Sequence, residues 1–248
     1  RRTLVLPIVA AGVVLLAFDI GARTVFRAPP VATPVTTRFM SFSRMTDLPG
    51  AETNPDLSPD GNQFIYVSRA SGNSDIYSMR VGGSRAVNLT ADCTSNDGAP
   101  RFSRDGQSIV FWSERGGAGL FVMGATGESV RRLTDQGFDP CWSPDGTQVA
   151  FATEPVDNPY NRQTTSDLWI VDVSNGAVRQ RLSTDAVQPA WSPDGRWIAY
   201  WANTGGQRDI WVVGPSAGDL LAITHDAPTD WSPEWSPDGK RLYFSSDR

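Results

Sequence analysis

The chain has 248 residues, a formal net charge of −5 and 40% hydrophobic residues, with Trp and Phe well represented. That apolar content is enough to bury a core, while an acidic chain is unsuited to gripping a phosphate backbone, which needs a Lys/Arg patch. Nucleic-acid recognition by this segment is therefore set aside.

The first elements in chain order differ from everything after them. Residues 1–2 read as the end of an upstream region, because the chain opens on Arg1 without Met. From Thr3 to Phe18 no charge occurs, and continuing to Ala22 reaches the roughly 20 residues that a membrane span needs. The stretch 3–22 is thus expected to be a single transmembrane helix. A secretory signal and an all-apolar core helix are the alternatives, although no clean cleavage site follows and no polar face is present. Arg1 and Arg2 before the span balance Arg23 and Arg27 after it, so charge does not set the orientation. Residues 23–40 are rich in Pro and Thr without an apolar period, and read as a semi-extended linker.

From residue 41 the chain repeats. Ser58-Pro59-Asp60-Gly61 recurs as Ser103-Arg104-Asp105-Gly106, Ser143-Pro144-Asp145-Gly146, Ser192-Pro193-Asp194-Gly195 and Ser236-Pro237-Asp238-Gly239. The intervals from Asp to Asp are 45, 40, 49 and 44 residues. Pro pre-sets φ, Asp tolerates the bridge region and Gly supplies a positive φ, so each copy spells a tight hairpin. A β-branched and aromatic strand follows each turn, then a second strand such as "DIYSMRV" or "DIWVVG", then a short strand closing on Leu89-Thr90, Leu133-Thr134, Leu182-Ser183 or Ile223-Thr224. Upstream of each turn a Pro precedes a large apolar residue by two: Pro55/Leu57, Pro100/Phe102, Pro140/Trp142, Pro189/Trp191 and Pro233/Trp235. In this register Pro233 opens a strand, and Trp231 lies in the loop before it. A period of 40 to 50 residues with four short strands predicts an all-β propeller of four-stranded blades.

These residues resemble the WD40-like repeats of TolB-type β-propellers, and the resemblance covers residues 41–248. Ser41 to Thr46 reads as an outer strand without a blade of its own, and Arg248 falls midway through the fifth blade. The expectation is an open arc of about five blades, truncated in the fifth, with six or more in the full protein.

No catalytic constellation is legible. His225 is the only histidine and sits in the loop "ITHDAPTD", where a solvated side chain is the ordinary reading. There is no G-x-S-x-G, H-E-x-x-H or P-loop, and no calcium-loop spacing, so neither cofactor nor metal is expected. Cys93 and Cys141 supply no disulfide framework; a bond between them is the alternative to two free thiols. What remains is surface. In a propeller the innermost strand lines a central channel. The residues alternating with the packed positions are Asp56, Arg101, Cys141, Ala190 and Glu234; those ahead of the prolines are Asn54, Ala99, Asp139, Gln188 and Ser232. Arg101, Asp139, Gln188 and Glu234 are the candidates for a polar channel mouth, with structural salt bridging as the plainer role. The stretch "EPVDNPYNRQTT", residues 154–165, lengthens one interval to 49, and its Tyr160 and Arg162 are contact-favoured types.

Two functions are implied by resemblance. Stretches such as "SRASGNSDIYSMRVGG" look like the propellers that follow the span in bacterial receptor-type Ser/Thr protein kinases, a layout shared by some winged-helix regulators. That implies an extracytoplasmic, membrane-tethered domain binding a protein, a peptide or a small ligand at the channel mouth. Propellers with these repeats also precede the hydrolase domain of prolyl oligopeptidase-family serine peptidases, which is the alternative.

Overall fold

In this computed structural model the described residues are 44–46 and 50–248, without 157, 159, 161, 163 and 184. The expected span at 3–22, the linker at 23–40 and residues 41–43 lie outside them. Among the described residues no helix is long and apolar enough to cross a membrane. Residues 44–46 form no strand.

Five antiparallel sheets follow one another along the chain. The first is built from β1 (Glu52–Leu57), β2 (Gln63–Ser68), β3 (Asp75–Arg80) and β4 (Val87–Asn88). The second comprises β5 (Asp97–Phe102), β6 (Ser108–Ser113), β7 (Gly119–Gly124) and β8 (Arg131–Arg132). The third comprises β9 (Phe138–Trp142), β10 (Gln148–Ala152), β11 (Leu168–Asp172) and β12 (Val178–Ser183). The fourth comprises β13 (Val187–Trp191), β14 (Ile198–Thr204), β15 (Gln207–Val213) and β16 (Leu220–Ala222). The fifth pairs β17 (Asp230–Trp235) with β18 (Leu242–Ser246). Each is a simple meander, so every blade is made from local pairings.

The core lies between the sheets. Ile65, Ile76 and Leu89 of the first blade pack on Phe102, Phe111 and Phe121 of the second. Val110, Leu120 and Leu133 of the second then pack on Trp142, Phe151 and Val171 of the third. Ala150 and Ile170 meet Trp191 and Tyr200, and Trp201 and Ile210 meet Trp231 and Phe244. A sheet covered on both faces needs continuous apolar strands rather than alternation. That is why "FIYVS" in β2 is buried throughout. Each side chain closed off completely, such as Phe111 or Ile65, contributes roughly 1.5–3 kcal/mol.

The repeated Ser-Pro-Asp-Gly turn is a side-chain network as well as a backbone shape. In all five copies the Ser hydroxyl donates to the Asp carboxylate at 2.6–2.7 Å. The same Ser oxygen accepts the backbone N–H that starts the next strand at 2.9 Å. The Asp also accepts the N–H two residues on, at 3.0–3.1 Å. The turn glycines have φ between 68° and 75°, where a β-carbon is strained. Successive turns interlock: a β-carbon on Gly106 would lie 3.5 Å from the Pro59 ring, and Gly195 and Gly239 face Pro144 and Pro193 in the same way.

Three details differ from the sequence reading. The Leu-Thr pair follows the short outer strand in the first, second and fourth blades instead of forming it. There the Thr hydroxyl accepts the N–H near the start of the third strand, as in Ile76 to Thr90 at 3.1 Å, Leu120 to Thr134 at 3.2 Å and Ile210 to Thr224 at 2.9 Å. The upstream prolines sit inside the innermost strands rather than opening them, because a bulge removes the need for their missing N–H. For the same reason Trp231 belongs to β17, paired with Ser245, and not to a loop.

Candidate functional site

The innermost strands β1, β5, β9, β13 and β17 carry one shared distortion. Each pairing register shifts at the residue before the proline and at the proline itself. The residues before the proline, Asn54, Ala99, Asp139, Gln188 and Ser232, all have φ between 46° and 51°. This left-handed conformation is unfavourable for non-Gly residues, and more so ahead of proline. It recurs five times because it lets the strand present side chains to the centre on both sides of the proline.

The residue after each proline forms one layer around the centre. Asp56, Arg101, Cys141, Ala190 and Glu234 line a cavity of about 450 Å³, together with turn prolines Pro59, Pro144, Pro193 and Pro237 and with Trp142, Trp191 and Trp235. The Arg101 guanidinium lies 3.6 Å from Asp56 and 3.6 Å from Glu234, so it reaches from the second blade to the first and to the fifth. By area the Glu234 side chain is 63% exposed and Arg101 42%, and both line the cavity. Enclosure therefore raises the Glu234 carboxyl above its usual range against the pull of Arg101, with Asp56 adding repulsion. Burial raises Asp56 too, opposed by Arg101 and by the Phe102 N–H that its Oδ2 accepts at 2.7 Å. For Arg101 desolvation works against the charge, but the attraction of Glu234 and Asp56 outweighs it and the net shift is upward. Cys141 has its thiol pushed by burial up to about 12, which leaves it neutral and unreactive; its Sγ accepts the Trp191 N–H at 3.0 Å.

The residues before the prolines form a second layer. Asn54, Ala99, Asp139, Gln188 and Ser232 line a smaller cavity of about 70 Å³, which shares Arg101 and Glu234 with the larger one. Trp201 Nε1 and Ser232 Oγ both donate to Gln188 Oε1, at 2.7 and 3.1 Å, and fix its amide. The Arg101–Glu234 pair thus stands between the two spaces. All four candidates for a channel mouth come together here. Asp56 was passed over as a candidate, although it holds the same register as Arg101 and Glu234 and is the second partner of Arg101.

The remaining candidates lie elsewhere. Arg162 is 1% exposed at its side chain, donating to Glu154 at 2.7 Å and pairing with Asp185, its guanidinium over the Trp201 ring. Tyr160 is 51% exposed and donates to Asp247 at 2.8 Å, edge-on to Trp231. His225 is an exposed loop residue, and Cys93 and Cys141 are free thiols. Among the described residues the group suited to a cation is Asp209, Asp226 and Asp230, with carboxylate oxygens within 4.8 Å of one another. The Arg248 guanidinium already sits on Asp226 at 3.0 Å and on Asp230 at 3.1 Å.

Comparison with known proteins places this geometry. The model of the TolB beta propeller domain (PD40) matches residues 35–158 and 138–248. The chain is 30% identical over 214 residues to the uncharacterized peptidase YuxL of Bacillus subtilis (strain 168), covering 78% of this chain and 29% of that protein. It is 29% identical over 142 residues to the protein TolB homolog of Chlorobium luteolum, covering 56% of this chain and 30% of that one. The chain therefore spans about a third or less of the length of these curated relatives. Among solved structures, the putative TolB from Agrobacterium tumefaciens superposes with a TM-score of 0.67 at 26% identity, covering 80% of this chain and 70% of that one. With the matched model spanning most of its length, the chain belongs to the TolB β-propeller family.

Proposed function

We propose that this chain is a binding module that receives a segment of a partner protein, or a small ligand, at its central cavity. One observation carries the reading. Five strands of shared backbone bring five chemically different side chains to one concave space of about 450 Å³. Cavities that combine apolar walls with a few convergent polar groups are the usual place for recognition. On this reading residues 3–22 tether the propeller to a membrane and hold it on the extracytoplasmic side. It is the sensory part of a receptor-type Ser/Thr kinase or a similar membrane-bound signalling protein.

A photo-crosslinking residue placed at Glu234 tests the binding role in cells. A partner should be captured from that position and not from Tyr243, an exposed residue of β18 away from the cavity lining. Equal capture at both positions, or none at either, rejects the cavity as the binding site.

A second reading is favoured by the relative named a peptidase, which this chain covers over only 29% of its length. In that case the propeller controls access to a hydrolase domain. Reading the gene on both sides of this segment separates the two. A kinase domain upstream supports the first, and a G-x-S-x-G hydrolase downstream supports the second.

A further inference from the structure

We propose that the group received in the central cavity is a cation: a Lys or Arg side chain, or the free amino end, of a partner peptide. This rests on the cavity being the binding site and concerns what that site selects.

The charges inside do not balance. The two cavities are lined by three carboxylates, Asp56, Asp139 and Glu234, against two guanidinium groups, Arg101 and Arg104. Cys141, Ala190 and the remaining lining members are neutral, so the formal charge of the lining is −1. Charges walled by protein interact more strongly than charges in open water.

The geometry leaves room for a second cation. Arg101 stands 3.6 Å from one carboxylate on each side. Charge-assisted bonds close to about 2.7–2.9 Å, so the guanidinium is shared between two acids without forming a tight pair with either. A carboxylate accepts at about four positions, so Glu234 beside one distant guanidinium, and Asp56 with that guanidinium and the Phe102 N–H at 2.7 Å, both keep acceptor positions open. The same cavity is lined by apolar material, four turn prolines with Trp142, Trp191 and Trp235. A long aliphatic stem ending in a charged tip matches a lining that combines apolar surface with carboxylates. An anion entering the same space would meet more carboxylates than guanidinium groups.

The test uses a library of random heptapeptides with free amino ends, panned on the 248-residue chain. Recovered sequences are then made as synthetic peptides and titrated by fluorescence anisotropy against wild type, Glu234→Gln and Arg101→Gln. Lys or Arg should dominate the recovered set at one position, or else acetylation of the amino end should abolish binding. Glu234→Gln should weaken binding about tenfold, and Arg101→Gln should tighten it by removing the internal competitor. Peptides that carry no Lys or Arg, and whose dependence on these substitutions survives acetylation of the amino end, would overturn the cation assignment alone. An empty set, or peptides that bind all three proteins equally, overturns the cavity reading and the assignment with it. Glu234→Gln alters an exposed, loosely paired side chain, so a thermal melt matching wild type confirms that any loss is one of affinity.

Discussion

The turns and the inner wall are both repeated five times, yet they repeat in different ways. At the turns Ser, Asp and Gly recur in every blade, and so does each hydrogen bond among them. At the inner wall the backbone recurs, with φ of 46° to 51° ahead of every proline, while the neighbouring side chains are Asp, Arg, Cys, Ala and Glu. Where residue type and geometry repeat together, the geometry demands the residue. Where geometry repeats and residue type does not, the fold is indifferent to the side chain, which is then free to serve recognition.

The sharpest test sets two faces of one strand against each other. Trp142 packs between blades and its Nε1 donates to the Arg101 carbonyl at 3.0 Å; Trp235 does the same to Ala190 at 3.1 Å. Trp142→Ala should cost about 3–5 kcal/mol in urea unfolding, and Trp142→Phe, which keeps most of the packing, about 1 kcal/mol. Next in size is the turn network. Ser143→Ala removes a donor to Asp145 and an acceptor for the Gln148 N–H, and should cost about 1–2 kcal/mol by the same measurement. A similar loss, about 1–2 kcal/mol, is expected for Ala99→Val, because a β-branched residue resists the left-handed conformation held there.

Acid should separate the two regions by sign. The Ser hydroxyls and backbone N–H groups hold the turn carboxylates below their usual range, Asp60 and Asp194 at about 2. Their contribution is present above the unfolded value of about 3.9 and is lost as pH falls toward 2. Asp56 and Glu234 are raised, so the folded state takes up their protons first and gains stability as the medium is acidified from neutrality. A melting profile should therefore rise before it falls; a monotonic fall from neutral pH contradicts this division. The smallest expected effect on folding is at the inner wall itself. Glu234→Gln should change unfolding free energy by less than about 0.5 kcal/mol while altering binding.

Much of this was legible in the residues. The period, the turn letters and the alternation around each proline suffice to assign Arg101, Asp139, Gln188 and Glu234 to the innermost strands. The bulge was not legible, since nothing in Ala99 or Gln188 as residue types favours a positive φ. The condition comes from the pairing partner and the proline together. That is also why Trp231 read as a loop residue. Arg162 and Asp185 lie far apart in sequence, and their pairing depends on how residues 154–165 fold back, which no local pattern encodes. Asp209, Asp226 and Asp230 were likewise absent from the reading, because only the docking of the fifth blade on the fourth joins them.

Stacked repeats ordinarily lean on their immediate neighbours alone, so that one unit can open while the rest hold. The stretch after β10 departs from that rule: Tyr160 reaches past the fourth sheet to Asp247 and Trp231 in the fifth. Arg162 meanwhile fastens the base of the same stretch to Asp185, just ahead of β13. A tie between second neighbours penalises solitary opening of the unit between them. Amide exchange in β14 and β15 is therefore expected to follow unfolding of several blades at once, where an untied array would let the fourth breathe by itself.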